Sequence, residues 1–78
     1  MRVNYYDTFY VRLYENDEQV FSVMDNGFET ISDICSQVCS RYESSSGKKV
    51  DNTFELLIKK LDTEEFGRYK PSGRRIGS

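Results

Sequence analysis

Residues 8–14 alternate strictly. Phe9, Val11 and Leu13 share one parity, and Thr8, Tyr10, Arg12 and Tyr14 share the other. This is the period of two expected of a half-buried strand, and it is enriched in aromatic and β-branched residues. The polar cluster Glu15-Asn16-Asp17-Glu18 predicts a turn. Residues 19–24, with Val20, Phe21, Val23 and Met24 as the apolar members, predict a second strand, so the pair reads as a β-hairpin. Asp25-Asn26-Gly27 closes the unit, since Asn-Gly tolerates the positive φ of a reversal.

The period then changes. Ile31, Ile34, Cys35, Val38 and Tyr42 fall at i, i+3, i+4, i+7 and i+11, which predicts an amphipathic helix over 31–42. Thr30 is the expected N-cap, with Asp33 in the position that Glu or Gln takes in a capping box. Ser44-Ser45-Ser46-Gly47 is the stop signal, with Gly47 suited to a left-handed cap.

Residues 52–66 support two readings. As a helix, Phe54, Leu57, Ile58 and Leu61 form the stripe, Asn52 caps it, and Glu55 and Lys59 make an i,i+4 pair. As strands, Phe54, Leu56 and Ile58 alternate with Glu55, Leu57 and Lys59, turning through 62–65 into a short strand at 66–69. The helix is preferred, because only its period accounts for Leu57 and Leu61. The expected fold is therefore α+β: an N-terminal antiparallel hairpin packs on one amphipathic helix, and a second helix or a further hairpin completes a single small core. A three- or four-stranded antiparallel sheet crossed by one helix is the alternative. Residues 1–69 form the domain, and 70–78 read as a basic flexible tail.

Composition narrows the chemistry. At 78 residues, 37% of them hydrophobic, the chain has room for one small core. Histidine is absent, which removes the ordinary imidazole base, Ser-His and Cys-His nucleophiles, and His-containing zinc sites. No apolar run is long enough for a membrane span or a signal-peptide core, and mean hydropathy is −0.68. The expectation is a cytoplasmic protein without membrane contact. Net charge is −2, but residues 1–65 carry seven Lys/Arg against 13 Asp/Glu, while 66–78 carry Arg68, Lys70, Arg74 and Arg75 with no acid. An acidic body ends in a basic segment.

Candidate sites are sparse. Cys35 and Cys39 stand four apart on the expected helix, with no third or fourth Cys or His to complete a zinc set. A disulfide at that spacing would strain a helix. Cys35 reads as core and Cys39 as the core's edge, with a metal shared across a homodimer as the alternative. Ser46-Gly47-Lys48-Lys49 lacks both the first glycine and the final Ser/Thr of a phosphate-binding loop. No spacing of carboxylates suggests an acid–base pair or a calcium loop. No cofactor is expected, and an enzyme is not expected.

Seven of the eleven aromatics lie in the first 28 residues. If Phe9, Val11 and Leu13 face the core, then Tyr6, Tyr10 and Tyr14 line the opposite face with Arg12 among them. Tyr and Arg are enriched at protein-interface hot spots. The expected function is a non-catalytic protein-binding domain, a small inhibitor or adaptor. It would present an acidic, tyrosine-rich surface (Tyr6, Tyr10, Arg12, Tyr14, Glu15, Asp17, Glu18) to a basic site on a larger protein or protein–nucleic acid complex. The lack of alanine beside many Phe, Tyr, Asn and Lys residues fits an AT-rich coding genome and leans toward a phage or mobile-element anti-defence or host-takeover protein. The alternative is a nucleic-acid-binding domain that stacks bases on Tyr10 and Tyr14 and contacts phosphates through Arg12 and the basic end. A homodimer through the tyrosine face would use the same residues.

Overall fold

The computed structural model describes residues 2–77. Four strands and one helix follow in the order β1 (Phe9–Glu15), β2 (Glu18–Asp25), α1 (Ile31–Ser46), β3 (Phe54–Lys60) and β4 (Gly67–Tyr69). They form one antiparallel sheet, ordered β2-β1-β3-β4. Both expected N-terminal strands and the helix are present. The 52–66 segment, for which a helix was preferred, is instead the second hairpin.

Pairing with β1 explains that outcome. Leu56 lies opposite Leu13, and Ile58 opposite Val11. The apolar parity of β3 thereby joins that of β1 on one face of the sheet, and shared parity is what sets register when one face is buried. Phe9, Val11, Leu13, Phe54, Leu56, Ile58 and Tyr69 are all buried there. Leu57 instead falls on the opposite face, facing Arg12 across the strands. Leu61, just beyond the strand, is exposed. The two leucines that argued for a helix thus contribute nothing to the core.

α1 closes the core by burying Ile31, Ile34, Cys35, Val38, Cys39 and Tyr42. Tyr42 packs between Phe21 and Phe54, at centroid distances of 5.7 and 5.9 Å. The Thr30 hydroxyl accepts a hydrogen bond from the Asp33 N–H at 2.9 Å, while the Asp33 carboxylate accepts from the Glu29 N–H at 3.1 Å. Two N–H groups near the helix start are thereby satisfied, one residue offset from a standard capping box. The helix runs one turn beyond the expected end, to Ser46, and Gly47 terminates it at φ 73° with its N–H donating to Glu43 O.

The β1–β2 reversal is tighter than the four-residue polar cluster suggested. Only Asn16 and Asp17 lie between the strands, both left-handed at φ 50° and 68°. That is the conformation of two-residue hairpin turns, and Asn and Asp tolerate it best after glycine. Residues 70–77, expected as a flexible tail, carry defined hydrogen bonds. Lys70 N donates to Arg74 O, and Ile76 N to Arg68 O. Arg75 bridges to Tyr69, so the chain folds back along the β4 edge. No helix among the described residues is long and apolar enough to cross a membrane.

Candidate sheet-face site

Because α1 covers one face of the sheet, the other face displays the alternate side chains of every strand. β1 contributes Tyr10, Arg12 and Tyr14. Across it, Met24 and Lys59 flank Tyr10, Ser22 and Leu57 flank Arg12, and Glu55 pairs with Tyr14. Arg68 of β4 lies beside Leu57. At the register change between Leu13 and Tyr14, β2 gains one extra residue, Val20. Such a bulge increases local twist and bends the edge strand.

Arg12 stands at the centre of this face. Its guanidinium carbon lies 5.2 Å from the Tyr10 ring centroid and 5.1 Å from that of Phe66, within range of cation–π attraction. The Lys59 ammonium lies 5.6 Å from the same Phe66 ring. Tyr10 and Phe66 are themselves 6.5 Å apart. The Tyr14 hydroxyl, and after it the Tyr10 hydroxyl, raises the Arg12 pKa from its ordinary value. Arg12 Nε is shielded from solvent and has no hydrogen-bond partner, alone in this among the described residues. Neither Arg12 nor Lys59 makes an ion pair among the described residues, whereas Arg68 is bound to Glu55 at 2.9 Å.

The remaining expected site residues are dispersed. Tyr6 is 84% exposed in the segment before β1 and lines a shallow pocket with Leu61 at the far end of the face. Glu15, of core-face parity, reaches Lys48 at 3.9 Å. Asp17 and Glu18 are exposed at the hairpin tip, where Asp17 and Tyr14 share a small pocket with Arg68. Tyr10, Arg12 and Tyr14 therefore form one surface, while the acids stand at its end. Strand parity had already aligned the three. Lys59 and Phe66 were missed, and Arg68 was expected only with the basic end of the nucleic-acid alternative, because their places on this face depend on the β3–β4 hairpin.

The two thiols are buried and free. Burial pushes Cys35 up to about 12 and Cys39 to about 11, which disfavours the reactive thiolate. Among the described residues, no group of three or more Cys, Asp or Glu is arranged to hold a metal ion. A cleft of about 360 Å³ beside Val3, Ile31 and Tyr69 is lined by Phe66 but by none of the expected site residues. Comparison with protein-family models, with curated proteins and with solved structures yields no match.

Proposed function

We propose that this chain is a non-catalytic protein-binding domain, a small inhibitor or adaptor, whose contact surface is the sheet face that α1 leaves uncovered. One observation carries the reading: Tyr10, Arg12, Tyr14 and Phe66 are gathered on that face with Met24 and Leu57 beside them. Aromatic and arginine side chains on a rigid sheet supply contact area at low entropic cost, and they dominate the energetics of protein interfaces. The exposed acids of the hairpin tip, Asp17 and Glu18, suit a basic site on the same larger partner.

A nucleic-acid reading has one observation in its favour, since Arg12, Lys59 and Arg68 are interleaved with the aromatic rings. Charge counts against it. Asp17, Glu18 and Glu55 stand at one end of the face, and Asp62, Glu64 and Glu65 follow β3 at the other. An extended polyphosphate would meet carboxylates in both directions.

Affinity capture from nuclease-treated extract tests the choice, with wild type beside a Tyr10→Ala/Tyr14→Ala variant. A protein retained by wild type after nuclease and lost by the variant supports the proposal. Retention abolished by nuclease, or unchanged in the variant, overturns it.

A further inference from the structure

We propose that the centre of the uncovered face is a carboxylate-binding site, formed by Arg12 and Lys59 around Phe66, which seats an Asp or Glu from an acidic segment of a partner protein. The inference rests on the protein-binding reading above and names the chemistry that the partner must present. Two cations converge on the Phe66 ring, and neither has a carboxylate partner among the described residues, although other cations of the chain do. Arg12 and Lys59 are diagonal neighbours on paired strands, and an anion that reaches both is attracted by each. Arg12 also retains an Nε–H donor without an acceptor. A guanidinium presents paired N–H donors whose geometry matches a carboxylate.

The surroundings determine which anion fits. From Tyr10 to Tyr14 the cationic window is about 13 Å long, and acidic residues bound it at both ends. A single carboxylate flanked by apolar side chains matches this window, with Met24, Leu57 and Phe66 to receive the apolar neighbours. A long chain of phosphates does not.

The test is an NMR titration of the whole chain, reading the Arg12 Nε–Hε signal and the Tyr10 and Lys59 amides. The probes are a short acetylated, amidated peptide bearing Glu-Leu-Glu, its Gln-Leu-Gln counterpart and an oligothymidylate. The expected result is a saturable shift with the Glu peptide, weakened about tenfold by Glu→Gln in the probe or by Arg12→Gln in the protein, and weakened further by salt. Lys59→Gln should weaken the same binding, which keeps the test sound if Arg12→Gln perturbs the fold. The proposal is overturned if the Glu peptide gives no saturable shift at millimolar concentration, if both peptides bind alike, or if the oligothymidylate binds the same signals more tightly. Equal binding of the two peptides would remove the carboxylate claim alone, because protein capture through Tyr10 and Tyr14 is scored independently.

Discussion

Leu13 and Tyr14 are chain neighbours of opposite parity, and that single step separates their roles. Leu13 is fully buried beneath α1, so Leu13→Ala should cost about 2–5 kcal/mol of stability by leaving a cavity. Tyr14 is half-buried on the uncovered face, so Tyr14→Ala should cost less than about 1 kcal/mol while weakening partner capture. Urea unfolding of the two variants checks the contrast. Cys35 and Cys39 allow a second test at this scale. Both are buried, with raised pKa values, so Ellman's reagent should label neither thiol promptly in the native protein and both after unfolding. Rapid labelling of two native thiols would contradict the core packing. The burial of Leu13 and Cys35 and the placement of Tyr14 on the opposite face were legible in the sequence, because strand parity and helical stripe depend on local spacing.

Spacing alone does not choose between two elements when the apolar residues satisfy both periods. In β3, Phe54 and Ile58 belong to the helical stripe and also to the strand alternation. The decision came from β1, whose second edge pairs with β3 in a register matching Leu13 to Leu56. A pairing across more than forty residues leaves no local trace. Lys59 and Phe66 were missed for the same reason, since they and Arg68 reach the uncovered face only through the β3–β4 hairpin. The β1–β2 hairpin was legible from its polar cluster, but its two-residue turn was not. There, the left-handed Asp17 invites glycine. Asp17→Gly should stabilise the fold by up to about 1 kcal/mol, measured as a higher melting temperature.

Across the whole molecule, charge is arranged in bands, with acids at both ends of the sheet face and cations at its centre. Two other acids support the fold. The Gln37 amide, and then the Glu29 N–H, holds Asp33 below the usual carboxylate range. Arg41, and then the Asn26 N–H, does the same for Asp25. A depressed folded-state pKa contributes stability that is present above the unfolded value, near pH 4, and is lost as pH falls through the folded value. Thermal melts should therefore be flat from pH 7 to about pH 5 and fall below about pH 4.

The helix-free sheet face, and not the helix side, is proposed to meet a protein partner. Site-specific photo-cross-linking tests this most directly, with a benzophenone amino acid placed at Tyr14 on the sheet face or at the exposed Ser36 on α1. The expected result is a nuclease-resistant protein adduct from position 14 and none from position 36. An adduct from position 36 alone, or a nuclease-sensitive adduct from position 14, would contradict it.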